Sequence, residues 1–150
     1  MSWSSTVPLA MTALVTRFSV IPLNGEVRDG PQLGDSAARE VITVGYIGPE
    51  DDTATDVALT KADLGAGQQE AYQIHCAIAV QAGDEDVAAT RTRAFEIFSA
   101  CGAVVQNNGT LGGVVASADM GSWTLRQDET TGGMYCRIRF DVEITGFTGH

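Results

Sequence analysis

Only one histidine lies inside the chain, and it is the first residue whose chemistry has to be considered. His75 could serve as a general base if a nucleophile and an orienting acid lay beside it. The sequence alone does not show whether Ser122 or Asp119 lies near it. His75 shares a predicted strand face with Gln73, Ala77 and Gln81. We therefore interpret His75 as a strand-face or interface histidine.

The acidic and glycine-rich segments do not match known ligand motifs. A calcium loop starting at Asp52 would need an acid where Ala54 stands and a glycine where Val57 stands. The segment 109–113 lacks the lysine of a phosphate-binding loop and the spacing of a dinucleotide fingerprint. Paired carboxylates could hydrolyse glycosides, but aromatic residues, which usually line such clefts, are only 7% of the chain. The sequence predicts no catalytic residue, no cofactor and no metal site.

The three cysteines, Cys76, Cys101 and Cys136, are an odd number without metal-binding spacing. Two stand in apolar strand patterns and one in a helical pattern. This placement predicts buried free thiols in a reducing compartment.

Length and charge narrow the class of protein. The 150 residues fit one domain, 1–150, large enough to bury a core. The formal net charge of −10 argues against nucleic acid as a direct partner, because phosphates attract Lys and Arg clusters. No apolar run is long enough for a membrane span. The apolar stretch from Val7 to Val15 has no preceding basic residue and predicts no signal peptide, so we expect synthesis in the cytoplasm.

Hydrophobic periodicity predicts an α+β fold in one domain. The expected fold is a mixed or antiparallel sheet with one long packed helix and an N-terminal helix. In chain order the predicted elements are a helix over 5–19, an inner strand over 40–47, a strand over 70–81, a helix over 84–106 capped by Asp84, a strand from 111 to 118 continued by Trp123 and Leu125, a hairpin turn at 130–133 and a strand over 134–145.

The main helix should bury one stripe against the sheet. The predicted stripe consists of Val87, Ala94, Phe98, Cys101 and Val105, flanked by Phe95 and Ile97. We expect Phe95, Ile97 and Phe98 to pack on a sheet face containing Ile74, Ile78, Ile138 and Phe140.

The segment 48–68 differs in composition from the rest of the chain. It has five acids, one base and no aromatic residue. We predict a long acidic loop that is mobile in the free subunit and becomes ordered against a neighbour.

The order of these pieces resembles the tail terminator (tail-completion) proteins of long-tailed bacteriophages and related tail-like particles. The resemblance spans most of the chain, and the order and spacing of its pieces carry it. They are the opening helix with 27–31, the strand end at 44–46, the long loop, the strand start at 70–74, the helix start at 83–86 with 91–94, the turn at 110–113 and the strand 135–145.

The resemblance implies a virion protein that forms a ring, usually of six copies. Such a ring caps the tail tube, ends its growth and gives the head connector or completion protein a surface to attach. DNA would pass through the lumen without specific binding, and the protein would be made in the bacterial host cytoplasm. Alternatives left open are a head-completion, connector or other head–tail joining protein, a tube subunit, or a small ligand-binding or enzymatic domain using His75 and the acidic loop.

Ring formation by a subunit of charge −10 requires local charge complementarity, because like-charged copies repel. Four arginines stand in close pairs along the sequence. We hypothesise that at least one pair meets acids of the next subunit, with 48–68 the richest source; the alternative is a solvated face balanced within the subunit. The candidate interaction residues are Asp51, Asp52, Asp56, Arg91, Arg93, Arg137 and Arg139.

Overall fold

The computed structural model describes residues 4–30, 39–46, 53–61, 68–82, 86–130 and 133–148. The helices are α1 (Val7–Phe18) and α2 (Val87–Asn107). The strands are β1 (Gly25–Asp29), β2 (Glu40–Val44), β3 (Thr55–Lys61), β4 (Gln68–Ala82), β5 (Ser117–Thr130) and β6 (Gly133–Phe147). They form one six-stranded mixed sheet in the order β1-β2-β4-β6-β5, with β3 paired to β4. The predicted α+β fold with an N-terminal helix and a long packed helix is confirmed.

The two longest strands, β4 and β6, form the centre of the sheet. Beside β4, β2 pairs with residues 76–80 and β3 with residues 68–74, so these two strands lie end to end along one edge. On the other side β5 pairs with β6, with an irregularity between Met120 and Trp123. In the part of the chain that the structure describes, β3 and β5 therefore have no strand partner on their outer sides.

The strand β3 corrects the prediction of a continuous loop over 48–68. Residues 55–61 form a ladder with β4, in which Val57 and Leu59 alternate with Asp56 and Ala58. This period of two is a strand pattern, although the acidic composition hid it. Asp51 and Asp52 lie outside the described residues, so the predictions made for them remain predictions.

The core lies between one face of the sheet and both helices. Phe140 of β6 contacts Phe18 of α1 and Phe98 of α2, with ring centroids 6.3 and 5.4 Å apart, so the two helices share a face. The sheet residues that face the helices occupy every second position of β4 and β6, as predicted. Buried core side chains from β4 and β6 are Tyr72, Ile74, Cys76, Ile78, Val80, Cys136, Ile138, Phe140, Val142 and Ile144.

The helix α2 uses a slightly different stripe from the predicted one. Its buried residues are Thr90, Ala94, Ile97, Cys101 and Val105. Ile97 is thus central, and the larger rings of Phe95 and Phe98 lie beside the stripe. Both rings contact Trp123 of β5, at 5.5 and 5.6 Å.

The start of α2 also differs from the prediction. Its N-cap is Asp86, whose carboxylate accepts a hydrogen bond from the backbone N–H of Ala89 at 3.0 Å, whereas Asp84 had been expected there. Asp86 is the last residue before the first helical turn and can reach its free N–H groups.

The segment after α2 is a turn rather than the predicted strand start at Leu111. Leu111, Gly112 and Gly113 have φ values of 50, 76 and 91°, which lie in the left-handed region and cannot continue a strand. Leu111 is buried in the core, and the strand begins only at Ser117.

The three cysteines are buried and free, as predicted. Burial raises the pKa of the Cys76 thiol and raises that of Cys101 to about 12. Thiols of this kind remain protonated and serve as apolar packing groups. Among the described residues no helix combines the length and hydropathy needed to cross a membrane.

The N-terminus of α1 is capped from the sheet. Glu70 of β4 is 1% exposed and accepts hydrogen bonds from the backbone N–H of Thr6 at 2.7 Å and from the Ser5 hydroxyl at 2.6 Å. The Thr6 hydroxyl also donates to it, at 3.0 Å. A carboxylate here satisfies a free N–H group of α1 and faces the positive end of its dipole. Glu70 thereby fixes α1 to the sheet.

Replacing Glu70 should therefore destabilise the fold. We expect Glu70→Ala to lower the free energy of unfolding by about 1–3 kcal/mol, because it leaves the partly buried donors of Ser5 and Thr6 without this acceptor. Urea denaturation measures the change. Glu143→Ala, which removes an exposed glutamate from β6, is the matched control and should change stability by less than about 0.5 kcal/mol. Equal effects of the two variants would contradict the capping role.

Candidate interaction surface

The sheet face opposite the helices, here called the open face, is not covered by any described helix. It is formed by the strand residues that alternate with the core. From β1, β2, β3 and β4 it carries Glu26, Arg28, Val41, Thr43, Asp56, Ala58, Gln73, His75, Ala77 and Ala79; from β5 and β6 it carries Asp119, Thr124, Arg126, Asp128, Arg137, Arg139, Asp141 and Glu143.

One half of the open face is basic. Arg126 of β5 stands directly opposite Arg137 of β6, and Arg139 follows two residues further along β6. Like charges directly opposite each other in a sheet are unfavourable. Three arginines thus gather on one patch of a chain whose net charge is −10.

The other half is acidic. Asp119 of β5 pairs with Glu143 of β6, Glu143 pairs with Gln73 of β4, and Gln73 pairs with Asp56 of β3. These side chains line a groove of about 510 Å³ across the four strands. Within the described residues, no three His, Cys, Asp or Glu side chains are placed to hold a metal ion. The open face therefore changes sign along the direction of its strands.

His75 and Asp141 mark the boundary between the two halves. The His75 Nδ1 and Asp141 Oδ1 atoms are 2.6 Å apart, and the two side chains are 17% and 23% exposed. On the other side of β6, Asp141 lies beside the irregular stretch between Met120 and Trp123, which contains Ser122. The acid thus lies between Ser122 and His75, which stand two strands apart, about 10 Å. This order does not place the serine hydroxyl within reach of the imidazole.

Arg91 and Arg93, the first of the two arginine pairs noted in the sequence, make different contacts in the structure. Arg93 binds Glu40 of β2 through Nε at 2.7 Å and Nη2 at 2.9 Å, and Nη2 also donates to the carbonyl of Pro22 at 2.9 Å. Arg91 donates to the side chain of Gln127 at 3.0 Å, near the end of β5. Arg93 therefore joins α2 to β2 within the subunit. This agrees with the alternative interpretation, in which the arginines are balanced by acids of their own subunit.

Arg137 and Arg139 share one face of β6, as the strand period predicts, and that face is the open one. Asp56 lies exposed on β3 at the edge of the same face. The structure thus brings the acid and this basic pair onto one surface, two strands apart.

The Arg93–Glu40 pair makes stability pH-dependent. The hydrogen bond from Arg93 holds the pKa of Glu40 below its usual value of 4.5. Because the folded pKa is below the unfolded one, this stabilisation is present above pH 4.5 and is lost as pH falls through the folded pKa. We expect Arg93→Ala to cost about 1–2 kcal/mol at pH 7, less than a fully buried pair, since Arg93 is 36% exposed.

The measurement is urea denaturation of both proteins at pH 7 and at pH 3. The difference between wild type and Arg93→Ala should shrink at the lower pH. Arg17→Ala, which removes an arginine from the last turn of α1, is the control for the loss of one positive charge. A difference that is the same at both pH values would contradict the assigned ion pair.

The sequence did not identify Arg126 or the Asp119–Glu143 pair on the open face, nor the exposed apolar residues at the two edges of the sheet. Val57 and Leu59 on β3 are 43% and 46% exposed, and Trp123 on β5 is 50% exposed. All three project on the helix side of the sheet, since Val57 pairs with Tyr72 and Trp123 contacts Phe95 and Phe98. Only the register of the strands identifies them as edge residues.

Comparison with known proteins gives no family assignment. No protein family model matches the chain, and a search of curated proteins finds no significant match.

Proposed function

We propose that this chain is a structural virion subunit that assembles with copies of itself into a ring on the tail tube of a long-tailed phage or related particle. The ring ends tube growth and gives the head connector a surface to attach. The proposal starts from the order of the sequence elements, and the described fold is compatible with it. Its proposed partners are other copies of the chain, the tube protein and the head connector or completion protein.

The observation that carries the proposal is that two outer strands, β3 and β5, lie on opposite sides of the sheet and have no strand partner outside them among the described residues. Strand β3 presents Val57 and Leu59 at one edge, and β5 presents Trp123 at the other. Exposed strand edges favour pairing with another chain. Because the two edges differ, a contact between them is head-to-tail, and such contacts form rings when the rotation closes.

The charge of the subunit is compatible with this role. A ring of subunits with a net charge of −10 each repels the phosphates of DNA in its lumen. DNA would then pass through without binding. The basic half of the open face supplies the local positive charge that contacts with acidic surfaces need.

Electron microscopy of particles made without this protein tests the role. We expect tubes of uncontrolled length and no joined heads, with normal length restored when the protein is supplied. Tails of normal length that lack heads would instead assign the protein to head–tail joining. Normal, infectious particles would contradict both roles.

A further inference from the structure

We propose that neighbouring copies join by pairing β5 of one subunit with β3 of the next, so that the sheet continues around the ring. This inference rests on the proposed ring and names its interface. In the sheet, β3 runs antiparallel to β4 and β5 runs antiparallel to β6, which is itself antiparallel to β4. A copy placed beside β5 in the same orientation therefore presents β3 as an antiparallel partner.

Apolar side chains select the register of this pairing. Trp123 and Leu125 project on the helix side of β5, and Val57 and Leu59 project on the helix side of β3. Antiparallel pairing that sets Trp123 against Leu59 also sets Leu125 against Val57. Both pairs then cover surface that is exposed in the single subunit, and cross-strand apolar pairs stabilise a sheet.

The same register brings opposite charges together on the open face. Three residues beyond the Trp123–Leu59 pair and one beyond the Leu125–Val57 pair, Arg126 stands opposite Asp56 of the neighbouring copy. Arg126 faces Arg137 within its own subunit, so a carboxylate on its other side offsets the repulsion between the two arginines. Asp56 is exposed and lies in the acidic half of its own open face. Charge and apolar complementarity thus agree on one register.

A cross-link tests the pairing. In the proposed register Ala58 stands opposite Thr124 of the neighbour, and both residues are exposed in the single subunit. Directly opposite residues have Cα atoms about 4.5–5.5 Å apart, within the range of a disulfide. Under mild oxidation the Ala58→Cys/Thr124→Cys variant should give a ladder of covalent multimers on a denaturing gel. On the same gel each single variant should run as a monomer, because it has no cysteine opposite the new one. The wild type should do the same, because its thiols are buried.

A charge exchange tests the register. We expect Asp56→Arg alone, and Arg126→Asp alone, to lower the affinity between subunits about tenfold, and the double exchange to restore it to within about threefold of wild type. Glu143→Arg, which changes an exposed acid on the central strand β6, is the control with the same charge change and should leave affinity unchanged. Mass photometry across a dilution series gives the affinities.

The outcomes separate the interface from the ring. Cross-linked ladders together with rescue by the double exchange support the inference. Ladders without rescue overturn the Arg126–Asp56 contact. Wild-type rings with neither ladder nor rescue overturn the edge pairing and leave the proposed function standing. A wild-type chain that stays monomeric both alone and on purified tail tubes overturns the proposed function, and the interface with it.

Discussion

Phe140→Ala should lower the free energy of unfolding by about 3–5 kcal/mol, the largest effect expected of any single substitution described here. The ring is 1% exposed and contacts Phe18 of α1 and Phe98 of α2. Its removal leaves a cavity where both helices meet the sheet. Since a domain of this size is stable by about 5–15 kcal/mol, the loss is a large part of the total.

Urea denaturation followed by circular dichroism measures this loss. Phe147→Ala is the matched control, because Phe147 lies on the same strand and is 50% exposed. We expect the control to cost less than about 1 kcal/mol. A cost for Phe140→Ala as small as that of Phe147→Ala would mean that Phe140 does not join the two helices to the sheet.

Leu59→Asp should abolish assembly while leaving the monomer folded. Leu59 is 46% exposed on the outer strand β3 but stands opposite Glu70 of β4, so a carboxylate there costs the single subunit up to about 1 kcal/mol, which is too little to unfold it. In the proposed interface the same carboxylate is buried against the indole of Trp123 without a partner, which is strongly unfavourable. We expect the affinity between subunits to fall at least about a hundredfold, as seen by size-exclusion chromatography with light scattering.

Val20→Asp is the matched control for this experiment. Val20 is 76% exposed but lies just after α1, outside both edge strands. We expect it to assemble as the wild type does. Assembly of Leu59→Asp equal to that of Val20→Asp would exclude β3 from the interface.

The long elements of the fold were predictable from the sequence because their periodicity extends over many residues. The predicted strands over 70–81 and 134–145 and the predicted helices over 5–19 and 84–106 match β4, β6, α1 and α2 with small changes at their ends. The strand β3 was not predicted, because only Val57 and Leu59 mark its pattern and both are half exposed. A short edge strand with few buried side chains has little hydrophobic signal.

The surface was less predictable than the core, because its contacts depend on register. The His75–Asp141 pair joins residues 66 positions apart, and the alignment of Arg126 with Arg137 depends on the irregularity between Met120 and Trp123. A shift of one residue in the strand pairing would move these side chains to the opposite face. The sequence identified the close arginine pairs, but it could not show that Arg93 binds Glu40 within the subunit.

Native mass spectrometry of the purified chain, alone and bound to tail tubes, tests the central proposal most directly. A ring joined by two different edges predicts one closed species of fixed size, with a mass about six times the 15.8 kDa of the subunit. A closed species of another fixed number would retain the ring and correct its size. A chain that remains monomeric in both settings, or that forms an open series of multimers without a limit, would contradict the proposal.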